Sequence, residues 1–131
     1  MKKYSGKCLC EHIKFTLTGK PSNPHFCHCH MCQRWSGAPV VAWVDFPLSS
    51  LKYEKGKPKL YRSSKKTQRG FCQKCGSSLF ALDDGSNYIC MAITMLDQKN
   101  EIIPEFESFK NSSSSWMHIP KIKKHLSKKN K

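Results

Sequence analysis

The chain has 131 residues, of which 38% are hydrophobic and 24% are charged, and its formal net charge at pH 7 is +14. This length suits one domain that can bury its own core. No apolar run is long enough for a membrane-spanning helix, and the first residues, M-K-K-Y, lead into no apolar segment of a secretory signal. We therefore expect a cytoplasmic protein, and in that reducing compartment eight cysteines favour metal ligands or catalytic thiols over disulfides.

The first half of the chain is predicted to be mostly strand. In residues 13–17, Ile, Phe and Leu alternate with Lys and Thr, which is the period-two pattern of a half-buried strand. A short helical turn is expected after Cys32, and Gly37 and Pro39 would end it. Residues 39–46, P-V-V-A-W-V-D-F, form a nearly continuous apolar run that is typical of a central strand.

The second half has the same character. Apolar residues at 51–53 and 60–61 flank E-K-G-K-P-K, which predicts a hairpin or a loop. Residues 78–82 and 88–95 are separated by D-D-G-S-N, and these turn residues predict a hairpin. The domain is expected to span residues 1–119, with a basic, disordered tail at 120–131 that holds six lysines and no acidic residue.

Seven of the eight cysteines fall in three short clusters, and Cys90 stands apart. The clusters are C-L-C at 8–10, C-H-C-H-M-C at 27–32 and C-Q-K-C-G at 72–76. Such a density of sulfur and imidazole ligands indicates metal chemistry, with zinc as the first candidate.

Two of the clusters together predict a closed zinc site. Cys72 and Cys75, followed by glycine, have the form of a zinc knuckle, which supplies two of the four ligands that a structural zinc requires. Cys8 and Cys10 are the natural source of the other two. Residues two apart in a flat strand are about 7 Å apart, too far for two ligands of one zinc ion, so this pair should lie at a bent strand end that Gly6 allows.

Cys27, Cys29 and Cys32 then remain as a set of three thiolates. Three protein ligands leave a tetrahedral zinc ion with one open position, and this distinguishes catalytic zinc from structural zinc. The spacing also permits a closed site of three cysteines and one histidine, with His28, His30 or His25 as the fourth ligand. Disulfides and an iron–sulfur cluster are further alternatives.

A different partition pairs the C-L-C cysteines with Cys27 and Cys29, but it leaves the later knuckle without partners. Cys90, in Y-I-C-M-A-I-T-M, is expected to be a small buried apolar residue and not a ligand.

Four ordered motifs resemble one known family, that of the glutathione-dependent formaldehyde-activating enzymes, which also contains the centromere protein V group. They are G-K-C-L-C-E-H-I-K-F at 6–15, C-H-C-H-M-C-Q-R-W-S-G at 27–37, R-G-F-C-Q-K-C-G-S-S-L at 69–79, and M-L-D at 95–97 followed by Pro104 and Trp116.

The resemblance implies a mainly β fold with little helix, the β-tent of antiparallel sheets, with two Zn²⁺ ions per chain. It assigns Cys8, Cys10, Cys72 and Cys75 to a structural site, and Cys27, Cys29 and Cys32 to a catalytic site. The chain departs from the family at Glu11, where many members have glycine, and at Glu107, where many have histidine.

The implied reaction is condensation of formaldehyde with glutathione to S-hydroxymethylglutathione, formally that of a carbon–sulfur lyase. A free thiol with a pKa of about 8.5 is only a few per cent ionised at neutral pH, so ionisation by a metal gains at most about thirtyfold. Holding the thiol and the carbonyl together would have to supply most of the acceleration.

Glutathione has two carboxylates and one amine, and we expect it to favour a basic pocket. Arg34 is the nearest candidate to contact it, and Arg69 and Lys74 are weaker ones. Trp35 and Ser36 are expected to line the same pocket.

The alternative function is a non-catalytic, zinc-stabilised binding module for nucleic acid or protein. The lysine tail would favour nucleic acid. Against this, the tail has no aromatic residue for base stacking, and no recognition helix is evident.

Overall fold

A computed structural model describes residues 1–121, and in these residues ten strands and one α-helix are found. The elements are β1 (Tyr4–Lys7), β2 (Lys14–Leu17), β3 (Ser22–Cys27), α1 (His30–Ser36), β4 (Val41–Pro47), β5 (Lys52–Lys55), β6 (Lys59–Arg62), β7 (Thr67–Phe71), β8 (Ser78–Asp83), β9 (Tyr88–Ala92) and β10 (Phe106–Ser108). The mainly β fold with little helix is confirmed. Most of the predicted tail, residues 122–131, lies outside the described residues.

The strands form two sheets. The smaller has the order β1-β2-β5, and the larger has the order β10-β3-β4-β9-β8-β7-β6. Every pairing is antiparallel except that of β10, which lies parallel to β3. No helix of the described chain is long and apolar enough to cross a membrane.

The main core lies where the two sheets pack together. Phe15 and Leu17 of the smaller sheet are buried with Phe46 and Met91 of the larger one. The Tyr4 ring meets the Phe46 ring edge to face, with 5.2 Å between centroids. Burial of these large side chains supplies the main favourable free energy of folding.

The larger sheet carries different side chains on its two faces, because successive residues of a strand point in opposite directions. In β9, Ile89 and Met91 are buried in the core, and Cys90 between them points away from it. The face turned away from the core carries the polar and sulfur-containing side chains that line a cavity.

Two of the predicted strands and the second predicted hairpin are confirmed. β2 and β4 occupy the two apolar segments of the first half, and β8 pairs antiparallel with β9. In β2, Thr16 is buried although it falls on the polar side of the predicted alternation. Its hydroxyl donates to Glu54, which satisfies the buried oxygen.

The segment between the next two strands is a loop, and the hairpin alternative is wrong. β5 pairs with β2 in the smaller sheet, whereas β6 pairs with β7 in the larger one. Gly56, at φ +62°, packs against the carbonyl of His12, and Pro58 lacks a backbone donor. The chain therefore crosses between sheets here.

The short helix begins earlier than predicted. α1 starts at His30 with Cys29 as its N-cap, so that Cys32 lies inside the helix. It ends where expected, at Gly37, whose φ of +73° is readily adopted only by glycine.

We predict that Gly6→Ala lowers the free energy of unfolding by about 1–3 kcal/mol, the usual cost of overpacking. A Cβ at this position would lie 2.4 Å from the Phe15 ring and 2.6 Å from the Met95 carbonyl oxygen. Denaturant unfolding at equilibrium measures the change. Lys52→Ala, at an exposed site in the same sheet, is the control and should change stability by less than about 0.5 kcal/mol. Equal stability of the two variants would contradict the packing argument.

Candidate metal centres

The first cysteine cluster contains Cys8, Cys10, Cys72 and Cys75, whose sulfur atoms all lie within 4.8 Å of one another. The Cys10 sulfur is 3.8 Å from the sulfur of Cys8 and 3.8 Å from that of Cys72. Four sulfurs placed tetrahedrally about 2.3 Å from a zinc ion are about 3.8 Å apart. This set of donors therefore fits Zn²⁺. The partition that joins the C-L-C cysteines to Cys27 and Cys29 is wrong.

The C-L-C pair lies in a tight turn just after β1 ends. The turn is closed by hydrogen bonds from the Cys8 amide to the Ile13 carbonyl, and from the Glu11 amide to the Cys8 carbonyl, each 3.1 Å long. Glu11 has φ +63°, which explains why glycine suits this position. The predicted bend is present, but Gly6 does not make it. Gly6 lies within β1, where its lack of a side chain admits the Phe15 ring.

The knuckle at 72–76 has the predicted form. Gly76 has φ +80°, and its amide donates to the Cys72 carbonyl at 2.7 Å. The Ser77 hydroxyl lies 3.2 Å from the Cys75 sulfur and accepts a hydrogen bond from the Leu9 amide. Hydrogen bonding from Ser77, through its side chain first and then its backbone, lowers the pKa of Cys75 to about 5. The knuckle and the C-L-C turn are thus joined by protein contacts as well as by their sulfurs.

The second cluster contains Cys27, Cys29 and Cys32, whose sulfurs also lie within 4.8 Å of one another. Cys27 ends β3, and Cys29 caps α1 by accepting a hydrogen bond from the Cys32 amide at 3.3 Å. Cys29 and Cys32 are three residues apart and therefore lie on one side of the helical turn. The end of β3 and the start of α1 together place the three sulfurs close to one point. These three donors also fit Zn²⁺.

Within the described chain, no histidine or acidic residue joins this cluster as a fourth ligand. The His28 ring is buried, and its Nε2 lies 2.8 Å from a Glu107 carboxylate oxygen. The His25 ring hydrogen-bonds to the Asn23 carbonyl, and His30 is exposed at the start of the helix. The site of three cysteines and one histidine that spacing permitted is not found. The cysteines are free thiols, so the disulfide alternative is not found either.

The three sulfurs lie in the wall of a cavity of about 380 Å³. It is lined by one face of the larger sheet, through His25 and Cys27 of β3, Trp43 and Asp45 of β4, Thr67 and Arg69 of β7, Ala81 and Asp83 of β8, and Tyr88 and Cys90 of β9. Phe109 and Tyr88 at its edge are exposed. A small molecule can therefore reach the cluster.

Arg69 is the charged group in contact with the cluster. Its side chain is buried, and both terminal nitrogens lie 3.7 Å from the Cys32 sulfur. Its Nε donates to the Ser63 hydroxyl at 3.1 Å, and its guanidinium lies 6.0 Å from the centre of the Trp35 ring. A hydrogen bond from the Cys32 thiol lowers the pKa of Cys27 to about 5.

The other predicted pocket residues lie elsewhere. Arg34 and Lys74 are exposed and do not line this cavity. Trp35 and Ser36 line a second cavity, on the side of α1 that faces the knuckle. The Ser36 hydroxyl donates back to the Cys32 carbonyl at 2.8 Å. A direct role for Arg34, Trp35 and Ser36 in binding a small molecule stays a prediction, and Arg69 is the basic residue that the structure brings to the thiols.

Cys90 and Asp45 also line the cavity, and sequence reasoning did not place them there. Burial first, and then the negative charge of Asp45, raises the pKa of the Cys90 thiol. The two residues are opposite each other in the pairing of β4 with β9. The sequence pattern around Cys90 could have indicated its place. Ile89 and Met91 are core residues, and strand alternation puts Cys90 between them on the opposite face of the sheet.

The end of β10 and the segment that follows it lie beside the second cluster. The Ser108 carbonyl accepts from the His28 amide, and the Gln33 side chain donates to the carbonyls of His28 and Ser112. Glu107, in the middle of β10, is the hydrogen-bond partner of the buried His28 ring.

Comparisons with known proteins agree with this architecture. A family model described as glutathione-dependent formaldehyde-activating enzyme matches residues 3–112. A Schizosaccharomyces pombe protein named as an uncharacterized lyase is 33% identical over 88 residues, which are 66% of this chain and 64% of that protein. This chain thus matches less than two thirds of that relative's length.

A crystal structure of a Rhodobacter sphaeroides protein, a structural genomics target, is similar with a TM-score of 0.58 and 21% identity, over 71% of this chain and 87% of that one. This likeness shows a shared fold alone. The family match spans most of the chain and includes all seven clustered cysteines. The chain therefore belongs to the family of glutathione-dependent formaldehyde-activating enzymes.

Proposed function

We propose that the protein is a zinc-dependent enzyme of the carbon–sulfur lyase type, which forms or cleaves a thiol–aldehyde adduct such as S-hydroxymethylglutathione. One observation carries the proposal. Cys27, Cys29 and Cys32 converge beside a cavity without a fourth protein ligand among the described residues.

The two clusters would hold two Zn²⁺ ions with different roles. The ion at Cys27, Cys29 and Cys32 would supply an open position that takes up a thiol in its ionised form. The four-cysteine cluster has no such position and would serve folding alone.

The residues of the chain supply charge balance and proximity. Three thiolates carry more negative charge than one Zn²⁺ ion neutralises, and the buried guanidinium of Arg69 provides the compensating positive charge. The cavity holds the thiol and the aldehyde side by side, which replaces a bimolecular encounter. In the forward direction a sulfur–carbon bond forms, the carbonyl π bond opens, and the proton lost by the thiol ends on the carbonyl oxygen. No oxidant or reductant is required.

The reaction can be tested by exchange NMR with ¹³C-formaldehyde and glutathione. We expect the zinc-loaded protein to accelerate formation and breakdown of the adduct, and Cys29→Ser to lack this effect. The protein without residues 120–131 should be as active as the full chain, because every described residue that lines the cavity lies between His25 and Phe109. Salt-sensitive nucleic-acid binding that requires the tail, without any activity, would support the binding-module alternative instead.

The two clusters should respond differently to loss of one ligand. We predict that Cys29→Ser loses about one equivalent of zinc and remains folded, because serine preserves the helix N-cap that Cys29 provides. Cys72→Ser should unfold the domain, because Cys72 is fully buried in the main core and metal binding there is folding energy. Elemental analysis and circular dichroism measure the two effects. A folded Cys72→Ser protein, or an unfolded Cys29→Ser protein, would contradict the assignment.

We also predict that Arg69→Met weakens zinc binding at the three-cysteine cluster by about 10- to 100-fold, the usual effect of removing a group that contacts a ligand. Competition with a chromophoric chelator measures the affinity. Arg62→Met is the matched control, since Arg62 is exposed and pairs with Asp84 at 3.0 Å, outside the cavity lining. Unchanged zinc affinity in Arg69→Met would show that the guanidinium does not compensate the thiolates.

A further inference from the structure

Another cavity opens between the two sheets, and its lining includes none of the clustered cysteines. Its volume is about 380 Å³, and its wall is formed by Tyr53 of β5, Leu60 of β6, Phe80 and Leu82 of β8, Ile89 of β9 and the chain segments next to β5. Among the residues that the structure describes, none lines both this cavity and either of the other two. The volume lies in the usual range for a site that binds a small molecule.

The wall of this cavity is mainly apolar, and part of it is exposed. Phe80 and Ile89 belong to the main core and are only 3% and 1% exposed, whereas Leu60 is 52% exposed. Water in contact with large apolar side chains carries a free-energy cost, which contact with a hydrocarbon chain removes. The cavity is therefore suited to the apolar part of a ligand.

Two polar groups, on Tyr53 and Lys57, interrupt the apolar wall. The Tyr53 hydroxyl has no hydrogen-bond partner among the described residues, and burial raises the pKa of Tyr53 to about 12, so the hydroxyl stays protonated and can donate. Lys57 lies in the loop that crosses between the sheets, and within the described chain its amine forms no ion pair. A hydroxyl donor and an ammonium group beside an apolar wall are complementary to a carboxylate on a hydrocarbon chain.

The charge near the cavity decides between an anionic ligand and a covering segment of protein. Residues 52–59 contain four lysines and one acid, Glu54. Glu54 accepts a hydrogen bond from Thr16, and strand alternation places its side chain on the face opposite to that of Tyr53. The segment 120–131 contains an isoleucine and a leucine, but its six lysines would be repelled here, and so would a second copy with a net charge of +14. An anion is attracted.

We propose that this cavity binds a monocarboxylate with a saturated hydrocarbon chain, with the carboxylate at Lys57 and Tyr53 and the chain against the leucine side chains. The site lies apart from the three-cysteine cluster, so the inference goes beyond the proposed function and does not depend on it.

The test titrates the full chain with hexanoate, octanoate and decanoate below their micelle-forming concentrations. Calorimetry measures affinity and stoichiometry, and the methyl NMR signals of Leu60 and Leu82 report the site. We expect one molecule to bind per chain, with affinity rising about fourfold for each added methylene, the value for full burial of that group. Octylammonium, which has the same chain and the opposite charge, should bind more weakly than octanoate.

Two variants separate the polar contacts from the apolar ones. Lys57→Met should weaken octanoate binding by up to about fivefold, the upper range for an exposed ion pair. Tyr53→Phe should weaken it by about tenfold, because a hydrogen bond to a charged group is lost. Neither should change the increment per methylene. Lys59→Met is the matched control, since Lys59 is exposed in the same segment and does not line the cavity, and it should keep the affinity.

Each contrary result overturns the inference in a different way. Affinity that does not rise with chain length, or equal losses in Lys57→Met and Lys59→Met, would show only general attraction of anions to a basic surface. Octylammonium that binds as tightly as octanoate would remove the carboxylate from the proposal. Leu60 methyl shifts that depend on protein concentration without ligand would assign the cavity to a second copy. The chain-length series uses the unaltered protein and does not depend on whether any variant folds.

Discussion

The four-sulfur cluster is the contact on which the rest of the structure depends. It joins a turn that follows the first strand to a knuckle more than sixty residues later, with adjacent sulfurs 3.8 Å apart. The turn leads from β1 of the smaller sheet, and the knuckle joins β7 to β8 of the larger one. Four thiolates at this distance repel one another unless a cation lies between them. A metal ion held at this point would therefore tie the two sheets together, over the same core that holds Cys8 and Cys72.

The two faces of the larger sheet have different roles. One face supplies the large apolar side chains of the core, and the other lines the cavity. Because the strands alternate, one short segment such as β9 serves both purposes, with Met91 in the core and Cys90 in the cavity. The second cluster lies at the edge of this arrangement, between the end of β3 and the start of α1, where a turn can direct three sulfurs to one point.

Net charge and local charge have different consequences in this protein. The excess of lysine is spread over the surface and the C-terminal segment, and it influences long-range attraction of anions. The cavity contains its own charges, set by Asp45, Asp83 and the buried Arg69. At short range the groups that touch a ligand decide its binding.

The sequence alone determined much of the fold class and the grouping of the seven clustered cysteines. Cysteine spacing led to both clusters, because ligands of one ion must lie close together and few partitions of seven cysteines satisfy that. The turn residues D-D-G-S-N predicted the β8–β9 hairpin, and Gly37 predicted the end of the helix. Both predictions rest on local preferences of the backbone.

Only the tertiary structure decided which side chains surround the second cluster. Trp35 and Ser36 are close to Cys32 in sequence but line another cavity. Arg69 of β7 and Asp45 of β4 are distant in sequence, yet they line the same cavity as Cys32. Likewise β5 and β6 are neighbours in sequence but belong to different sheets. The physical reason is the same in each case. Spacing along the chain constrains groups within one turn or strand, while the pairing and register of separate strands decide which remote residues share a face.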